Sequence, residues 1–271
     1  GVFGGAVSGA GAVATNVIAS ETSALIDSSN VEQAGLIQLD AYDTSNIVAT
    51  VVAASVAIGG GGVVGAGISI GASVARNLIG YDQDGRKKNA GVWARVLDSS
   101  LDASGDLALT ARADESIDAV VLAGSAAIAG AGVVGVAGSG AGVSAVNRIA
   151  NDVVAAIDGD GDQGISAASV SLLADDTSAI HALGGAASIA FSFGFAGGSL
   201  SVGVALAENT IGNLVQASIS NADDLDATAG GITVTAAESN RIDAVTFAAS
   251  AALSISIGAS ISGGAASAVN T

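Results

Sequence analysis

The chain has no proline, no cysteine and no methionine, and it has only one Trp, two Tyr and five Phe in 271 residues. Without cysteine there is neither a disulfide framework nor a thiolate metal site. Without proline no amide donor is removed from a backbone ladder, which suits long stretches of paired strand. Positive charge is scarce too. Eight Lys and Arg stand against 25 Asp and Glu, a net charge of −17. Nucleic acid is therefore excluded as a partner, because phosphate needs a basic surface. The acidity suits a soluble surface or one that collects divalent cations.

What the chain does have is repetition. Half of it is hydrophobic and 39 residues are Gly. Asn16, Asn77, Asn147, Asn209 and Asn270 each close a long Gly/Ala/Val/Ser stretch, at spacings of 61, 70, 62 and 61. A second marker, Ile47, Ile117, Ile180 and Ile242, follows in the polar half, in the contexts DTSNIVA, DESIDAV, DTSAIHA and ESNRIDA. The unit is about 62 residues, and arrays of such units bury their faces on one another. Residues 1–271 read as one continuous array: a partial first repeat (1–46), a second (47–116) carrying an insertion at 81–93, a third (117–179), a fourth (180–241) and a partial last one (242–271). Residues 1–16 correspond to 255–270, so the sequence starts and stops at the same phase, as expected of a piece of a longer array.

Acids are segregated. None occurs in 44–81, 119–151, 177–207 or 244–271. Runs this apolar could be membrane helices, but their periodicity is that of strands. Ile189, Phe191, Phe193 and Phe195 alternate with Ala190, Ser192 and Gly194, and Leu200, Val202, Val204 and Leu206 alternate with Ser201, Gly203 and Ala205. Period 2 means extended chain. Lys/Arg flanks and aromatic belts are also missing, and both observations argue against a membrane as partner. Each run has two arms around a Gly-rich centre such as Gly59–Gly62, which predicts a strand hairpin with one face of Val, Ile, Leu and Phe and another of Gly, Ala and Ser. The Phe residues are expected to face a core. The polar half reads as two or three short strands punctuated by Gly, Asn, Asp and Ser. The expected fold class is all-β: a repetitive β-solenoid-like stack of about four 62-residue repeats, each a Gly/Ala-rich long hairpin plus a short polar rung. A chain of separate small β-sandwiches is the alternative.

The alternation of a Gly/Ala/Val hairpin ending in (A/V)xN(x)I with an acidic rung resembles repeats of large bacterial β-strand-repeat surface proteins, the leukotoxin-type filamentous adhesins. The resemblance covers the whole chain and rests on this repeat pattern. It implies an extracellular or cell-surface fibrous protein with homotypic contacts, and it supplies no catalytic residues.

Candidate sites are few. In Asp158-Gly159-Asp160-Gly161-Asp162 carboxylates alternate on a Gly-rich turn, a pattern that can converge on Ca²⁺, although no Glu follows at the twelfth position. Asp82 and Asp84, in the insertion, repeat it more briefly, as do Asp223, Asp224 and Asp226. Asp-Gly turns between strands would look the same. The recurring Asn residues predict a side-chain ladder or a turn at a strand end. The insertion Tyr81–Trp93 holds Arg86, Lys87 and Lys88 and is expected to be an exposed loop. His181, the only histidine, occupies a variable position and is not read as catalytic, and no base is placed to activate a Ser. The chain is therefore read as non-enzymatic: a structural subunit of a fibre or adhesin stalk, pairing with other copies or adjacent repeats, with no required cofactor. A Ca²⁺-dependent adhesive module and a membrane-inserting toxin segment are the alternatives.

Overall fold

A computed structural model describes residues 1–271. Strands occupy most of the chain. The chain opens with β1 (Phe3–Ile18), β2 (Glu21–Asp27), β3 (Asn30–Ala34) and β4 (Ile37–Gly61), the last running from the first repeat into the second. It continues with β5 (Val64–Ile79), β6 (Gly91–Leu97), β7 (Ser100–Ala103) and β8 (Leu107–Ala131), the last running from the second repeat into the third. Then come β9 (Val134–Ile149), β10 (Asp152–Asp158), β11 (Ile165–Ala167) and the long β12 (Val170–Ile211). The chain ends with β13 (Leu214–Ser220), β14 (Leu225–Ala227), β15 (Ile232–Glu238), β16 (Arg241–Ile257) and β17 (Ser260–Asn270).

These strands form three sheets. One has nine strands, ordered β1-β5-β9-β12-β8-β4, with β15, β16 and β17 also paired to β12. The others are β13-β10-β6-β2 and β14-β11-β7-β3. Every ladder is parallel and joins equivalent positions of neighbouring repeats, as in Asn16↔Asn77↔Asn147↔Asn209↔Asn270 and Ile47↔Ile117↔Ile180↔Ile242. The two small sheets likewise pair neighbouring repeats in parallel, with a register shift between Val31 and Ala34 in the β3–β7 ladder.

The expected architecture is corrected here. The chain is all-β, but it is not a simple solenoid-like stack of hairpin-plus-rung units. The two arms of a Gly/Ala-rich run never pair with each other, and the one antiparallel contact is an isolated bridge between Tyr81 and Lys87. The amides of an interior arm are already used by parallel neighbours on both sides, so the arms meet face to face. The nine-stranded sheet folds back on itself through β12, where the register shifts between Phe193 and Ala196, and it becomes nearly closed. Nor is the last polar strand a separate rung. In β4 and β8 it runs unbroken into the apolar arm, because nothing between Ile37 and Gly61 interrupts the in-out alternation.

The core has distinct layers. Beneath the polar half, Leu107, Leu109, Val92, Val96, Ile157, Ile165 and Leu172 fill the space between the three sheets. Next comes a ladder of Ile47, Ile117 and Ile180 against Ile79 and Ile149. Beyond it the folded sheet forms a two-layered blade whose interior is nearly all Ala, Val, Ser and Gly. The close approach requires glycine: a Cβ on Gly71 would lie 2.3 Å from the carbonyl oxygen of Gly124.

Candidate functional site

The recurring asparagines lie side by side on the inward face of their arms. Each Nδ2 donates to the Oδ1 of the next, at 2.8 Å (Asn16 to Asn77), 2.7 Å (Asn77 to Asn147), 2.7 Å (Asn147 to Asn209) and 2.9 Å (Asn209 to Asn270). Asn77, Asn147 and Asn209 are fully buried. Parallel in-register pairing brings identical amides one strand spacing apart, about 4.8 Å, which is the geometry an amide ladder needs. Serines form a second device, across the blade. The hydroxyls of Ser55 and Ser69, Ser125 and Ser139, and Ser188 and Ser201 pair at 2.8, 2.7 and 2.7 Å, and those of Ser192 and Ser199 at 2.9 Å. Each pair joins one arm to the other and satisfies a polar group that burial would otherwise penalise.

Asp158, Asp160 and Asp162 lie at a corner beside an open cleft of ≈640 Å³ lined by Ser28, Asp98, Ser100, Gln163 and Asn221 among others. Successive repeats place Ser28, Asp98, Gly159 and Asn221 there, all with positive φ. The carboxylates do not converge on a common point. Asp158 Oδ1 accepts from Ser220 Oγ (2.9 Å) and Asn221 Nδ2 (2.6 Å), bonds that hold its carboxyl below the usual range. Asp160 Oδ2 accepts from the Asp224 amide, and the loop is tied down by Ser100 Oγ, which donates to the Asp160 carbonyl and accepts from the Gln163 amide. Asp82 and Asp84 lie in the insertion loop. Asp82 Oδ1 accepts the amides of Arg86 and Asp84, and these bonds, with the Lys88 and Arg86 charges nearby, lower its pKa. Asp84 pairs with Arg86 at 2.8 Å. No group of three or more His, Cys, Asp or Glu side chains is placed to hold a metal ion. His181 is exposed and lies 3.3 Å from Asp243, which also pairs with Arg241.

A buried polar seam separates the polar-half core from the isoleucine ladder. In register across it lie Ser45, Glu115 and Ser178. Glu115 is 1% exposed and accepts a hydrogen bond from Asn151 Nδ2. Its Oε2 and the Oδ1 of Asn151 have no partner. Burial, reinforced by the charges of Asp176 and Asp43, pushes the Glu115 pKa up to about 8. Asp176, bonded by Ser178 and Asn213, is also raised, chiefly by burial. The signal for Glu115 was in the sequence: it stands two residues before the inward Ile117, on the same face.

The outer faces of the blade reverse an expectation. Phe193 and Phe195 do not face a core; they are 46% and 69% exposed, with the Phe193 ring lying over Gly130. The small-residue face turns inward because only it permits the close approach of the arms, which leaves Val52, Val56, Ile58, Ile68, Ile70, Ile189, Leu200, Val202 and Leu206 exposed on the two outer faces. No family model, no curated protein and no solved structure matches the chain.

Proposed function

We propose that the chain is a structural segment of an extracellular or cell-surface bacterial β fibre, a filament or adhesin stalk, lengthened by parallel addition of repeats. The observation that carries this reading is the register: every equivalent strand pairs with its counterpart one repeat on, and the ladder from Asn16 to Asn270 runs through all of them. The outer strands expose the same unpaired edge groups that the interior joints use. Another repeat, from the same chain or a second copy, can continue each ladder without a new type of contact. The resemblance to bacterial β-strand-repeat surface proteins supports the location. Electron microscopy of the purified chain at neutral pH tests the proposal: rods of constant width whose length grows with concentration are expected, and particles of single-chain size at all concentrations overturn it.

A further inference from the structure

Beyond this fibre reading, we propose that the apolar blade inserts into the hydrocarbon of a lipid bilayer, with the acidic body outside. The blade is inside-out. Its hydroxyls point inward and pair across the arms, while Ile, Val, Leu and Phe point outward on both faces. Large apolar side chains thus stand outside an interior of small residues and paired hydroxyls, and an apolar outward face is what strands present to lipid. A protein partner would cover one face; here both faces and the turn between them are uncharged.

The charge profile along the strands complements that of a bilayer. On one face the outward rows from Thr50 to Gly60, with their neighbours Val120 to Gly130 and Leu183 to Phe193, carry no ionisable group, and they span roughly 33 Å at about 3.3 Å per residue. The hydrocarbon core is about 30 Å thick. Charge begins one row further down, with Asp118, His181 and Asp243 in register. On the other face it begins at Arg76 and Glu208, beside the insertion loop with Arg86, Lys87 and Lys88. Five of the eight cations, counting Arg148, thus gather at one base of the blade, at the level of lipid headgroups. Most are paired, Arg148 with Glu208 and Lys87 with Asp152, but Arg76 has no carboxylate partner. The backbone condition is met by the interior strands β5, β8, β9 and β12, which are hydrogen-bonded on both sides. The edge strands β1, β4, β16 and β17 are paired on one side only, and because lipid tolerates only paired backbone their free edges enter it covered by a further repeat or a second copy. Strands supply the apolar length that the sequence alone suggested only for helices, and the proposal therefore departs from the expectation against a membrane.

The test uses the full chain with phosphatidylcholine vesicles, which carry no net charge. The chain is expected to float with them. In a Trp93→Phe/Phe193→Trp variant the introduced indole is expected to shift to the blue and to be quenched by lipids brominated on their acyl chains. Ile189→Asp/Leu200→Asp places one charge on each face at sites 57% and 50% exposed, where circular dichroism can verify the fold, and should cut flotation at least tenfold. Absence of flotation, or flotation indifferent to the two charges, overturns the proposal. So does lipid-free self-association that the same charges abolish without any vesicle binding; the faces would then be contacts between copies. Rod formation without lipid bears only on the fibre reading, so the two can fail separately.

Discussion

Replacing Glu115 by Gln should change the pH dependence of stability. A carboxyl whose pKa is near 4.5 unfolded and about 8 folded holds its proton more tightly in the folded state. Below pH 4.5 both states are protonated and the group is neutral to stability. Between pH 4.5 and 8 only the folded state keeps the proton, so stability falls by about 1.4 kcal/mol per pH unit. Above pH 8 both states are ionised and the loss levels off. At pH 7.5 the accumulated cost is about 4 kcal/mol, an upper figure because the neighbouring Asp176 is raised as well and is coupled to it. Glu115→Gln removes the titration and keeps the shape. Its amide can accept from Asn151 Nδ2 and donate to the orphan Asn151 Oδ1. The variant should match the parent near pH 4.5 and exceed it by about 3 kcal/mol at pH 7.5, roughly 6–10 °C in melting temperature for a chain of this size. Thermal melts of both proteins across this range, followed by circular dichroism, provide the measurement. An increment that does not vary with pH, or a variant less stable at pH 8, refutes the assignment of a neutral buried Glu115.

Three further outcomes follow from the same geometry. Asn147→Ala leaves Asn77 Nδ2 and Asn209 Oδ1 buried without partners and should cost about 2–5 kcal/mol, read as a lower denaturation midpoint with unchanged slope; a loss under 0.5 kcal/mol would show that the ladder contributes nothing. Gly71→Ala forces a Cβ to 2.3 Å from the Gly124 carbonyl oxygen and should cost about 3 kcal/mol, whereas Gly140→Ala, which has open space at its outward position, should be close to neutral in the same melts. Millimolar Ca²⁺ followed by EDTA should leave the melting temperature unchanged, because Asp158 and Asp160 already accept bonds from Ser220, Asn221 and the Asp224 amide; a shift of several degrees would mean that the corner rearranges to bind the ion.

Period, register markers and strand content were legible because they are local. Alternation around Phe191 and Leu200 could only be extended chain, and the Asn and Ile markers fell into register because parallel pairing one repeat on joins equivalent residues even across the insertion. What pairs with what was not legible. Two apolar arms around Gly59–Gly62 look like a hairpin in sequence, and only the competition of neighbouring repeats for the same amides turns them face to face. Which face lies inside was equally hidden. Size and hydropathy rank Phe193 and Phe195 as core residues, but the position of a face is decided by what lies opposite it. Glu115 sat on an inward position that alternation had already marked, and an acid there should have been read as a buried group.

The inverted blade also redistributes free energy. Its interior of Gly, Ala and Ser yields little hydrophobic stabilisation per residue, and every ordered Gly costs about 0.5–1 kcal/mol more than Ala. The blade must therefore be held by its parallel ladders, the Asn and Ser side-chain bonds and the dispersion contacts of closely opposed arms. The large side chains that would stabilise an ordinary core stand outside, where each Val, Leu, Ile or Phe retains a transfer free energy of about 1.5–3 kcal/mol that is released only on burial. Ladders thus stabilise the repeat within the chain, and the outward rows leave the strongest apolar attraction available for whatever the blade meets. An array that joins its repeats through backbone and amide bonds can lengthen without covering those rows, which is why fibre growth and insertion into lipid are compatible in one molecule.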